Sequence, residues 1–115
     1  MDDFTKKTLQ TIIKHCNIID ETKKHFGSDY VDFENNVIYQ NALLTPVAQI
    51  GELVKRFSDI FKEKYNEIPW RNIAGMRDVL IHRYETIDKV ILWNVSDKEI
   101  PKIKNFCTKV LKEDS

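Results

Sequence analysis

The stretch "IPWRNIAGMRDVLIHRYETID", Ile68–Asp88, decides how the chain is read. Pro69 suits a first helical turn, where its missing N–H is not needed, and the residues after it continue as a helix through "WRNIAGMRDVLIHRY". That helix gathers Arg71, Arg77, Arg83, Asp78, His82, Trp70 and Tyr84 around one glycine, Gly75. Asp78 and His82 are four apart, so the carboxylate can reach the imidazole, fix its tautomer and raise its pKa toward the range of a general acid or base. Arg77 and Tyr84, seven apart, share a face. Arg77 and His82 are five apart, roughly 140° around a helix. They meet at one small target only if the helix ends between them or two copies of the chain contribute. A symmetric dimer burying this helix would set two Arg/His sets at one seam. On spacing alone, such a cluster is more often a salt-bridged helix surface than a catalytic centre.

Working outward, helical periodicity extends on both sides. Phe4, Leu9, Ile12, Ile13, Cys16 and Ile19 line one face of a first helix, with Asp2 or Asp3 as its cap and Gly27 as its stop. His15 and His25 read as solvated or dipole-paired. Asp32 is a plausible cap for a second helix from Phe33 to about Phe57, whose apolar positions are Val37, Leu44, Val47, Ala48, Gly51, Val54 and Phe57. Pro46 predicts a kink near residues 42–46. Gly51 costs about 1 kcal/mol relative to alanine, a cost that close approach of another helix would justify. Ser58 caps a short third helix, "DIFKEKYN". The last segment, Ile87–Lys112, offers Val90, Ile91, Ile103, Phe106, Val110 and Leu111, with Pro101 kinking or restarting it. The expected architecture is all-α: an antiparallel bundle of four long helices and one short one, in a single domain over residues 1–115.

Composition agrees. Three glycines and three prolines in 115 residues leave little material for the turns of an all-β fold. Eighteen basic and eighteen acidic residues cancel, so a nucleic-acid footprint has to be local. No apolar run is long enough to span a bilayer, and "MDDFTKKTLQ" lacks the pattern of a secretory signal. Cys16 and Cys107 read as buried reduced thiols of a cytosolic protein. Serine-type triads, zinc-ligand spacings and phosphate-cradling glycine loops are missing.

"RDVLIHRY" has the form R-x-x-x-x-H-x-Y and resembles the signature of the HepT-like toxins within the HEPN superfamily. The likeness covers about two thirds of the chain. "QIGELVKRFSDIFKEKYNEIPWRNIAGMRDVLIHRYETID" resembles the family's long block, and "ILWNVSDKEIPKIKNF" its closing helix. The resemblance implies a HEPN-type homodimeric bundle and a metal-independent endoribonuclease acting on cellular RNA without a cofactor. By position, Arg77 and His82 would be the catalytic pair. Asp78 takes a supporting polar position where relatives commonly carry asparagine. Tyr84 would be the tyrosine that a partner nucleotidyltransferase antitoxin modifies with AMP. Arg71 and Arg83 would join Arg77 in a local basic patch for RNA. The residue types suit the reaction, since RNA carries its own 2′-OH nucleophile, histidine moves protons and a guanidinium suits phosphorane charge. A different class of reading is a non-catalytic helical module that docks a nucleotidyltransferase or a nucleotide.

Overall fold

The structure, a computed structural model, describes residues 1–80 and 86–114. Its elements are α1 (Asp3–Phe26), α2 (Tyr30–Glu34), α3 (Val37–Val54), α4 (Asp59–Lys64), α5 (Trp70–Ala74), α6 (Met76–Leu80), α7 (Lys89–Asn94), a π-helical turn (Val95–Glu99) and α8 (Ile100–Asp114). The architecture is all-α and fits a HEPN-type helical bundle, as the sequence predicts. α1 packs along α3 and α8, and α3 carries α5 and α6 on another side. Leu9, Ile12, Cys16, Ile19, Leu43, Val47, Ile50, Leu80, Leu92 and Cys107 are buried together in the core.

The first helix falls where the periodicity put it. The Asp2 carboxylate accepts the Thr5 N–H at 2.7 Å. Gly27 ends the helix at φ 120°, a conformation L side chains rarely adopt, and a Cβ there would collide with the Asp32 side chain. Phe4, assigned to the buried face, is exposed. His15 also departs from expectation. It is half-buried, and its Nδ1 is buried without a hydrogen-bond partner, so burial first and Lys14 second hold its pKa below the usual histidine value.

The second helix breaks earlier than expected. Asp32 lies inside α2, and the chain interrupts at Asn35–Asn36, where the Asn36 side chain caps α3 by accepting the Tyr39 N–H at 3.0 Å. Pro46 does not interrupt the helix: α3 runs through it, held by Leu43, Val47 and Ile50, which are all fully buried. Val37, assigned to the core stripe, is exposed. Tyr39, at the start of α3, stacks on Phe26 and donates its hydroxyl proton to the Gly27 carbonyl at 2.7 Å, tying α3 to the end of α1.

Ser58 caps α4 as expected, accepting the Phe61 N–H at 3.1 Å. From Lys89 to Asp114 the last rod is continuous but passes through the π-helical turn just before Pro101. A proline ring clashes with the carbonyl four residues back, here that of Asp97. Widening the turn, with the Ile100 N–H reaching back to the Val95 carbonyl, accommodates it. Val90 is exposed, and the neighbouring Leu92 is the fully buried side chain of α7. Lys23 of α1 lies 4.3 Å from the centre of the Trp93 ring and 3.5 Å from the Asp97 carboxylate, which fastens the π-helical turn to α1.

Candidate active site

Two anchors position the helices that carry the motif. Trp70 donates its indole N–H to the carbonyls of Lys62 and Tyr65, at 3.2 and 3.1 Å, and packs edge-on to Phe57 and Phe106. This fixes the start of α5. Further along, Gly51 lets α3 and α5 approach so closely that a Cβ on it would sit 2.9 Å from the Ile73 carbonyl oxygen. The close approach that the sequence offered as the reason for Gly51 is therefore present.

The single long helix expected over this stretch is divided at Gly75, which separates α5 from α6. Within α6, Met76 and Leu80 are buried, four residues apart on one face. Arg77, Asp78 and Val79 are consequently turned outward, with Val79 53% exposed. The Leu80 carbonyl accepts the Asp88 N–H at 2.8 Å, and the Asp88 carboxylate caps α7 by accepting the Ile91 N–H at 3.0 Å. Asp88 thus pins the end of α6 to the start of α7.

Beside this outward face, a groove of about 330 Å³ runs between α5–α6 and α7 with the π-helical turn. Ile73, Met76, Val79, Ile91 and Val95 make it apolar, and Asn72 and Glu99 supply its polar groups. Arg71 on α5 and Arg77 on α6 are both exposed, and neither has a carboxylate within ion-pair distance among the described residues. Among the described residues, therefore, neither guanidinium is neutralised by an ion pair, and Asp78 follows Arg77 on the exposed side of α6.

His82, Arg83 and Tyr84 lie outside the described residues, and with them the expected Asp78–His82 contact and the Arg77/His82 seam. Asn72, Glu99 and the pinning role of Asp88 were not read from the sequence, although Asp88 three residues before Ile91 is a recognisable capping spacing. Among the described residues, no group of three or more His, Cys, Asp or Glu side chains could hold a metal ion, and no helix is long and apolar enough to cross a membrane. Cys16 and Cys107 are buried and unpaired, as expected, and burial pushes both thiols up to about 12.

The all-α architecture is that of a HEPN-type helical bundle in its class, and the comparisons with known proteins give the family. A family model described as "Ribonuclease HepT-like" matches residues 5–110, and the chain belongs to this HepT-like ribonuclease family. It is 34% identical over 107 residues to the "probable ribonuclease HepT" of Thermococcus cleftensis, covering 93% of this chain and 96% of that one. A "putative RNase" of Methanocaldococcus jannaschii is 39% identical over 109 residues, covering 94% of this chain and 91% of the relative. A second protein of that organism, named "gamma-glutamylcyclotransferase and putative RNase", is 37% identical over 105 residues. There the match takes in 91% of this chain but only 46% of the relative. No solved structure gives a significant match.

Proposed function

We propose that the chain is the toxin of a toxin–antitoxin pair, a cytoplasmic, metal-independent endoribonuclease whose catalytic residues are Arg77 and His82. The observation that carries this reading is Arg77 itself: an exposed guanidinium without a described carboxylate partner, on a helix fixed by buried Met76 and Leu80, in a chain of a ribonuclease family. Arg71 and Arg83 add positive charge for the RNA backbone.

In the proposed reaction, the 2′-oxygen of the RNA attacks the adjacent phosphorus and the bond to the 5′-oxygen breaks. His82 moves a proton at the attacking or the leaving oxygen, and Arg77 donates hydrogen bonds to the non-bridging oxygens as negative charge builds on them. The products are a 2′,3′-cyclic phosphate and a 5′-hydroxyl. Two copies of the chain meet with their motif helices at one seam, so that both Arg/His sets serve one cleft. Asp78 tunes His82. Tyr84 is where a partner nucleotidyltransferase, the antitoxin, transfers AMP from ATP with release of pyrophosphate, and the added anion beside Arg77 displaces RNA phosphate.

The test is incubation of the purified chain with RNA in EDTA. Cleavage that persists in wild type and falls by about 10²–10⁴-fold in His82→Ala supports the reading. Cleavage that stops on metal removal, or that survives in His82→Ala, contradicts it.

A further inference from the structure

The groove beside α6 has a composition that the proposed cleavage chemistry leaves unused. Ile73, Met76 and Val79 line it from α5 and α6, and Ile91 and Val95 from α7 and the π-helical turn. A slot with two apolar sides thus lies next to the helix that carries Arg77. Among the described residues, its lining holds one carboxylate, Glu99, and one side-chain amide, Asn72, and no lysine, arginine or histidine. These two polar groups stand on opposite walls, Asn72 on α5 and Glu99 at the last position of the π-helical turn. Lys102 Nζ lies 3.8 Å from one Glu99 carboxylate oxygen. That exposed pair is too long for a hydrogen bond, so it leaves the acceptor positions of the carboxylate unused.

We infer that this groove is a base-recognition site that takes a guanine adjoining the phosphate held by Arg77. The inference rests on the proposed RNA chemistry at Arg77 and adds a specificity to it. The charge pattern divides the nucleotide. Phosphate is held by cations, which Arg71 and Arg77 supply on α5 and α6, whereas the described lining of the groove has none and carries Glu99 against it. Apolar walls with a few polar groups suit a flat ring whose edge makes the hydrogen bonds. An ionised carboxylate only accepts. Of the four RNA bases, guanine alone presents two adjacent donors on one edge, N1–H and the 2-amino group, which match the two oxygens of Glu99. Adenine and cytosine set a ring-nitrogen lone pair beside their amino group, and uracil places its N–H between two carbonyl oxygens. Each of these three brings an acceptor against the carboxylate. Asn72, from the opposite wall, can donate its amide N–H to guanine O6 or N7. An apolar protein side chain would fill the same walls but take water from Glu99 without replacing its hydrogen bonds.

The experiment is fluorescence anisotropy of the full chain with short labelled 2′-O-methyl uridine strands, which lack the nucleophile, carrying one central guanine, inosine, adenine or cytosine. Wild type should bind the guanine strand roughly tenfold to a hundredfold more tightly than the adenine strand, as a bidentate edge contact does. Inosine, which lacks the 2-amino group, should bind about tenfold more weakly than guanine. Glu99→Gln replaces one acceptor oxygen by an N–H donor, the complement of adenine's amino group and ring nitrogen. The variant should therefore lose the guanine preference and gain on the adenine strand, a redirection that a purely structural role of Glu99 would not produce. Glu99 is exposed, so the fold should hold, which circular dichroism checks, and the inosine comparison needs no variant at all. Absence of binding, equal binding of the four strands, inosine bound as tightly as guanine, or an unchanged preference in folded Glu99→Gln each overturns the inference. Cleavage of the matching unmodified RNAs separates it from the ribonuclease reading. Cleavage without guanine-selective binding overturns the base site and leaves that reading standing. Guanine-selective binding that Glu99→Gln redirects, with no cleavage, supports the base site and overturns that reading.

Discussion

Gly51→Ala tests whether the fold holds the motif helix where catalysis needs it. The new Cβ would lie 2.9 Å from the Ile73 carbonyl oxygen, whereas ordinary van der Waals contact begins near 3.4 Å, so α3 and α5 must separate by about 0.5 Å. The obstacle is backbone and cannot swing aside. Alanine gains about 1 kcal/mol of helix propensity. Forcing the packed helices apart costs about 1–3 kcal/mol. The net expectation is a loss of about 0–2 kcal/mol in urea unfolding, with the chain still folded. The effect on activity should be larger than that small loss suggests. α5 leads through Gly75 into α6, so the shift passes to Arg77. A misplacement of 1 Å can cost about a hundredfold in rate, and half of that distance should cost about tenfold in kcat on a fluorogenic RNA. A variant that is about 1 kcal/mol more stable than wild type, with unchanged cleavage, would refute the close approach and its bearing on the site.

Three further outcomes follow from particular side chains. His15 has a folded pKa below its unfolded value near 6.5, so its contribution to stability is present above that value and is lost as pH falls through the lower folded one. Wild type should accordingly lose more Tm than His15→Gln between about pH 7.5 and pH 5.5, and equal losses would show that the buried Nδ1 has no such effect. Cys16 and Cys107, with thiols pushed up to about 12, should ignore an aromatic disulfide reagent in the native chain and react once urea unfolds it. Rapid labelling of the native chain would contradict their burial. With the partner nucleotidyltransferase, ATP and Mg²⁺, wild type should gain the mass of one AMP and stop cutting RNA, while Tyr84→Phe should gain no mass and keep cutting. An equal adduct on the variant would remove Tyr84 as the switch.

The fold was legible wherever local chemistry acts alone. Asp2, Ser58 and Gly27 mark helix ends through short-range hydrogen bonds and φ preference, and all three stand where the pattern put them. Reading failed where packing competes with local preference. The sequence pattern runs one helix from Phe33 to about Phe57 with a kink at Pro46; α3 does run through Pro46 among the fully buried Leu43, Val47 and Ile50, but the chain is interrupted at Asn36, whose side chain supplies a cap. Gly75, expected inside one continuous helix, instead divides α5 from α6. At the site, the outward placement of Arg77 and Asp78 follows from Met76 and Leu80 four residues apart, a spacing visible in the sequence. The groove was not visible, because Asn72 and Glu99 are joined only by tertiary packing. His82 and Tyr84 rest on the motif and Arg83 on its charge beside them, since all three lie outside the described residues.

The central claim is that Arg77 and His82 cleave RNA by transesterification from its own 2′-oxygen, and the ends of the products test it most directly. A defined RNA and its 2′-deoxy counterpart would be incubated with wild type and Arg77→Ala, and the new termini identified by mass spectrometry. The account predicts 2′,3′-cyclic phosphate and 5′-hydroxyl ends from RNA, no cleavage of the 2′-deoxy strand, and loss of these products in Arg77→Ala. Ends bearing a 5′-phosphate, or cleavage of the 2′-deoxy strand, would contradict it.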